Sequence, residues 1–115
     1  MERRSSITRI GAAVGIRPEA LETYRQLHAN PWPEVLAENT RAGRSNYSIF
    51  LLPQKNLLFS CYEYSGHDRA ADAARMAQNP VMQEWWSLCR PAQIPLVDGT
   101  GDRRWTDLEL IFHQD

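Results

Sequence analysis

The sequence predicts an α+β fold in which one antiparallel sheet carries helices on a single face, and three observations predict it. Two runs of alternating apolar residues, 46–52 and 57–64, are separated only by the turn cluster Pro53-Gln54-Lys55-Asn56, the pattern of an antiparallel hairpin. A stretch with helix punctuation stands on each side of that hairpin. A further extended run lies at either end of the chain.

Each element has its local reason. Residues 7–16 are rich in small and β-branched residues and read as a first strand, moderately apolar on both faces. Arg17-Pro18-Glu19 opens a helix with proline in its favoured first turn. This helix carries Leu21, Tyr24 and His28 and stops at Asn30-Pro31, because proline cannot extend the hydrogen-bond ladder. Trp32-Pro33-Glu34 starts a second helical piece with Val35 and Leu36, closed by Gly43. In the hairpin, Tyr47, Ile49 and Leu51 fall on one face and Ser48 and Phe50 on the other. Ser65-Gly66 breaks the second strand. Residues 68–78 are alanine-rich and helical, and Asn79-Pro80 punctuates them before a helix bearing Met82, Trp85 and Trp86. Residues 90–103 read as a long loop, and 105–113 as the closing strand.

The resulting order, β-α-β-β-α-β with each helical region in two pieces, is ferredoxin-like. One sheet of this kind leaves a face bare. Because the hairpin strands are apolar on both faces, that face is expected to be covered by a second copy, giving a homodimer of the dimeric α/β barrel type. No repeat or linker divides the 115 residues, so a single domain over 1–115 is expected.

Composition excludes several classes. Hydrophobic residues are 43% and charged residues 23% of the chain, ordinary for a packed domain. A net charge of -1 without a basic run argues against nucleic acid. No apolar stretch is long enough to cross a bilayer and no convincing signal peptide opens the chain, so a cytoplasmic location is expected. Cys61 and Cys89 read as reduced thiols, and Asn46-Tyr47-Ser48 as a sequon without consequence. His28, His67 and His113 are scattered, so no metal is expected; His67 and His113 read as surface residues.

The chemistry-bearing residues form two clusters. Tyr24 and His28 stand four apart on one helix, hence on one face, one turn apart. A phenol and an imidazole can both exchange protons, and the imidazole titrates near neutrality. Pairs like this more often serve packing, but the stiff Asn30-Pro31-Trp32-Pro33 junction beside them suits a pocket wall. The second cluster is Trp85-Trp86. Neighbouring helical side chains diverge by about 100°, so both indoles rarely enter one core. At least one is expected in a groove, where its face can stack on a sugar, unless both simply pack between helices and sheet. Asn46 and Tyr47 at the second strand's start could hydrogen-bond hydroxyls or only cap the strand. With no GxGxxG, phosphate loop, GxSxG or triad, the chemistry left is proton transfer with positioning.

Tyr24-x-x-x-His28-x-Asn30-Pro31-Trp32-Pro33-Glu34, then Asn46-Tyr47, then Asn56-Leu57-Leu58-Phe59, then Trp85-Trp86 resembles the L-rhamnose mutarotase family. The resemblance runs from about residue 9 to residue 112. It implies a dimeric ferredoxin-like fold and cofactor-free interconversion of α and β anomers of a 6-deoxyhexose, L-rhamnose or L-fucose. It further implies that His28 is catalytic with Tyr24 beside it, and that Trp85, Trp86, Asn46, Tyr47 and Trp32 bind substrate. The chain departs from the family pattern in having Ala29 between His28 and Asn30 and none between Pro31 and Trp32. Two other readings remain: a cofactor-free monooxygenase on the same fold, and a sugar-binding module without catalysis.

Overall fold

A computed structural model describes residues 7–115. Its strands are β1 (Thr8–Ile16), β2 (Arg44–Leu52), β3 (Leu57–Tyr64), β4 (Gln93–Ile94) and β5 (Thr106–Leu108). The helices are α1 (Leu21–Ala29), α2 (Pro33–Arg41), α3 (Arg69–Met76) and α4 (Pro80–Cys89). The sheet runs β2-β3-β1-β4, and β5 joins β4 on the same edge of β1. All pairings are antiparallel. This is the ferredoxin-like arrangement expected from the order of elements.

Local chemistry sets the element ends. Asp68 accepts a hydrogen bond from the Ala71 amide at 3.0 Å, and Asn79 one from the Val81 amide at 2.8 Å, capping α3 and α4. Gly43, at φ 83°, takes the left-handed turn that ends α2 and passes the chain into β2. Between Ser45 and Ser48 the β2–β3 register slips, with Asn46 at φ 50° in the bulge.

The core lies between the sheet's inner face and the helices. Val14, Ile16 and Leu58 from the sheet meet Tyr24, Val35, Met76, Met82, Trp85 and Cys89. Cys61 is exposed, and both cysteines are free thiols. His67 and His113 are exposed, as expected. On the opposite face and beyond it, Phe50, Leu108, Leu110 and Phe112 are exposed.

Two expectations are corrected. The closing strand expected over 105–113 forms only at Thr106–Leu108. Its alternation is real, but Gly11 opposes Leu108 and β1 opens at Thr8, so the same ladder would carry Phe112 and His113 past the end of β1. The loop expected over 90–103 holds β4, whose two residues sit between Pro91 and Pro95 and are too few to show a period. Gly15 admits β4 against β1: a Cβ there would stand 3.1 Å from the Ile94 carbonyl oxygen.

Candidate active site

Helix α1 sets Tyr24 and His28 one turn apart, and their rings stack with centroids 4.3 Å apart and planes 22° from parallel. The edge of Trp85, from α4, meets the imidazole at 5.3 Å. Trp32, held extended ahead of Pro33, packs edge-on to Trp85 at 5.1 Å. The four rings form one continuous row, with Tyr24 and Trp85 buried and His28 and Trp32 half-buried.

The row fixes protonation states. His28 Nδ1 lies 2.9 Å from the Tyr24 carbonyl oxygen. A carbonyl only accepts, so Nδ1 carries the proton and Nε2 keeps its lone pair in the neutral ring. Burial outweighs that hydrogen bond and lowers the His28 pKa, so the neutral, basic form dominates near pH 7. Burial acts oppositely on the phenol, raising the Tyr24 pKa far above its ordinary value, so its hydroxyl keeps its proton. That hydroxyl accepts a hydrogen bond from Gln93 Nε2 at 3.1 Å. Gln93 is itself buried, and its Oε1 has no hydrogen-bond partner among the described residues.

Gln93 borders a cavity of about 530 Å³ on the inner face of the sheet, within the size range of small-molecule sites. Tyr47 and Tyr62 form one wall, their rings 4.9 Å apart, and Trp86 forms part of the other. Arg69 donates to the Tyr62 hydroxyl at 3.1 Å and grips Asp107 with both terminal nitrogens. Arg69, with help from Arg103, pulls the Asp107 pKa down to about 2.

Of the seven residues picked from the sequence, Tyr47 and Trp86 line this cavity, and Tyr24 reaches it through Gln93. His28, Trp85 and Trp32 continue the row behind Tyr24. Asn46 stands apart. Strand alternation and the bulge turn it to the sheet's other face, where its amide donates to Glu63 at 2.9 Å beside Cys61 and Leu110. Sequence reasoning missed Gln93, Tyr62, Arg69 and Asp107. Tyr62 could have been found, because it alternates in phase with Leu58 and Ser60; Arg69 and Asp107 are 38 positions apart with no local signal. Among the described residues, no cluster of His, Cys, Asp and Glu could hold a metal ion.

A phenol whose burial favours its protonated form, stacked on an imidazole whose burial favours its neutral form, beside a cavity on a ferredoxin-like sheet, has the make-up of a small acid–base enzyme. Comparison with known proteins narrows this class. The family model for L-rhamnose mutarotase matches residues 9–114, so the chain belongs to the L-rhamnose mutarotase family, whose members are isomerases. The L-rhamnose mutarotase of Oceanobacillus iheyensis is 33% identical over 107 residues, covering 93% of this chain and 98% of that protein. That of Sinorhizobium fredii is 36% identical over 98 residues, covering 85% and 89%. In backbone, the crystal structure of the Formosa agariphila L-rhamnose mutarotase superposes with a TM-score of 0.71 at 23% identity, over 94% of this chain and 99% of that one. A Nitrosomonas europaea protein assigned to the antibiotic biosynthesis monooxygenases shares the fold at a TM-score of 0.51 and 8% identity, over 81% and 85%.

Proposed function

We propose that this chain interconverts the α and β anomers of a 6-deoxyhexose, L-rhamnose first and L-fucose second, with His28 moving the proton and Tyr24 steadying the ring oxygen. His28 lies behind Tyr24 and outside the cavity lining, so in this reading the sugar takes the place of Gln93 on the Tyr24 hydroxyl, and His28 Nε2 then removes the proton from the anomeric hydroxyl. The electrons of that O–H bond form the aldehyde as the bond between the anomeric carbon and the ring oxygen breaks. The departing ring oxygen accepts a hydrogen bond from Tyr24 and then the proton from the imidazolium. Rotation about the C1–C2 bond and reclosure deliver the other anomer. Tyr24 is the hydrogen-bond donor here because a phenol with a strongly raised pKa gives up its proton reluctantly, whereas a fixed donor stabilises charge developing on oxygen. Trp86 and Tyr47 offer ring faces to the sugar, and Gln93 Oε1 has an acceptor position open to a hydroxyl. Trp85 buttresses the imidazole, and Trp32 packs against Trp85 in turn.

The observation that carries this reading is the stacking of the His28 imidazole on the Tyr24 phenol, Nδ1 held by the Tyr24 carbonyl, in a chain that matches the L-rhamnose mutarotase family. The likeness to the monooxygenase concerns the backbone alone. Saturation-transfer NMR on an equilibrated aldose tests the proposal. Faster α/β exchange with protein present supports it, and perturbed sugar resonances without faster exchange indicate a binding module instead.

The same reading takes residues 1–115 as one domain acting in the cytoplasm; among the described residues no helix is long and apolar enough to cross a membrane. It also takes the protein as a homodimer. Phe50 is 61% and Phe112 75% exposed, and a second copy laid on the outer face would cover both and give residues after Leu108 a strand to pair with. Sedimentation velocity reads the mass: a dimer supports this arrangement and a monomer at micromolar concentration removes it.

A further inference from the structure

The cavity holds more positive charge than a neutral 6-deoxy sugar uses. Arg44, Arg69, Arg90 and Arg103 all line it. Two of them are already answered: Arg69 holds Asp107 at 3.0 and 3.2 Å, and Arg103 reaches the same carboxylate at 2.6 Å. Arg44 and Arg90 are not. Among the described residues neither takes part in an ion pair. Arg44 lies over the Tyr62 ring, 5.0 Å from its centroid, with one long 3.5 Å contact to the Asn39 amide oxygen. Arg90 lies over the Trp86 ring at 4.4 Å.

A guanidinium stays charged at any working pH, so these side chains cannot escape burial by losing a proton. Half-buried cations with an aromatic face and no carboxylate in contact are under-compensated. The effect registers on Arg90, whose pKa is lowered chiefly by burial, with Asp102 and Arg104 as nearby charges of opposite sign. An anion supplied by a ligand would answer either group, Arg90 on the Trp86 wall or Arg44 on the Tyr62 wall.

We propose that the cavity also accepts an acidic sugar, a pyranose whose C6 is a carboxylate where the 6-deoxyhexose has a methyl, received by Arg90 or Arg44. The inference rests on the mutarotase reading of the same cavity. A carboxylate is flat and offers two acceptor oxygens, which matches the planar fork of a guanidinium. It replaces the methyl at C6 and leaves the anomeric end free to turn towards Gln93, which borders the cavity and holds the Tyr24 hydroxyl. Trp86 lies beside the Arg90 cation, so a pyranose that meets the indole has charge within reach. The carboxylate takes no part in ring opening; it binds.

The test uses a matched series, fucose, galactose and galacturonate of the same hand, which differ only at C6. Anomer exchange is followed by NMR with the whole protein at low and high salt. Galacturonate should be accelerated about tenfold more than fucose at low ionic strength, equivalent to about 1.4 kcal/mol. That advantage should shrink several-fold in high salt, because screening weakens the ion contact and spares the neutral sugar. Arg90→Met keeps a stem over Trp86 and should cut the galacturonate-to-fucose ratio about tenfold. Arg44→Met is the second variant should the first not fold. Equal or better acceleration of fucose in the wild type overturns the inference and leaves the mutarotase reading standing. So does a galacturonate preference that neither arginine variant nor salt alters. A protein that accelerates no sugar, L-rhamnose included, removes the mutarotase reading and the inference with it.

Discussion

Replacing Tyr24 by Phe removes one oxygen from a buried hydrogen bond at the edge of the cavity. Tyr24 is 5% and Gln93 4% exposed, and the 3.1 Å bond between them is the only hydrogen bond of the Gln93 carboxamide among the described residues. Gln93 Oε1 already lacks a partner, so Tyr24→Phe strands the whole amide. A buried polar group left unpaired costs about 1–3 kcal/mol, and about 1 kcal/mol moves Tm by roughly 4–8 °C in a domain near this size. A loss of several degrees is expected. Tyr24→Phe with Gln93→Leu removes both partners and fills similar volume, so most of that loss should return. Thermal and urea unfolding of the two single variants and the double variant measure the coupling. A double variant no more stable than Tyr24→Phe, or a fully stable Tyr24→Phe, would show that Gln93 does not hold the phenol, and the tie between the ring row and the cavity would be lost.

Other consequences are quicker to state. Burial lowers the His28 pKa below 6.5, so the anomer-exchange rate should climb with pH to a midpoint below 6.5 and stay flat through neutrality; an optimum on the acid side contradicts a neutral base. The same group is protonated more readily in the unfolded chain, so its contribution to stability is present above 6.5 and is lost as pH falls through the lowered folded value; unfolding curves between pH 7 and 5 read the sign. Gly43→Ala meets the Gly66 backbone nitrogen at 3.1 Å in a left-handed turn, whereas Gly99, at φ 87°, has nothing within 4 Å of an added Cβ. Gly43→Ala should therefore lose about 1–3 kcal/mol, clearly more than Gly99→Ala by chemical denaturation. Phe50→Asp should turn a dimer into a monomer by sedimentation while leaving the circular-dichroism spectrum unchanged.

What the sequence revealed depended on how local the signal was. Proline and glycine punctuation marked α1, α2 and α4, because those residues act on their own backbone: Pro33 and Pro80 lie in first turns, Pro18 in a short 3-10 turn leading into α1, and Gly43 at an exit, whereas α3 shows only as an alanine-rich run. The hairpin and the shared face of Tyr24 and His28 followed from fixed periods of two and 3.6. The length of β5 did not follow, because strand length is set by the partner; 106–108 pair and 109–113 do not, although the alternation runs through both. Gln93 was illegible for a similar reason. Its importance comes from Tyr24, 69 positions earlier, and nothing in the Pro-Ala-Gln-Ile-Pro stretch announces it. Asn46 shows the converse limit: a strand start can be placed from sequence, but a bulge decides which face each of its side chains takes.

His28→Ala offers the most direct measurement. Saturation-transfer NMR on equilibrated L-rhamnose should show rapid α/β exchange with the wild-type protein, and exchange slowed by ~10²-fold or more with a folded His28→Ala variant. Exchange at the wild-type rate without the imidazole would contradict the assignment of that ring as the group that moves the proton.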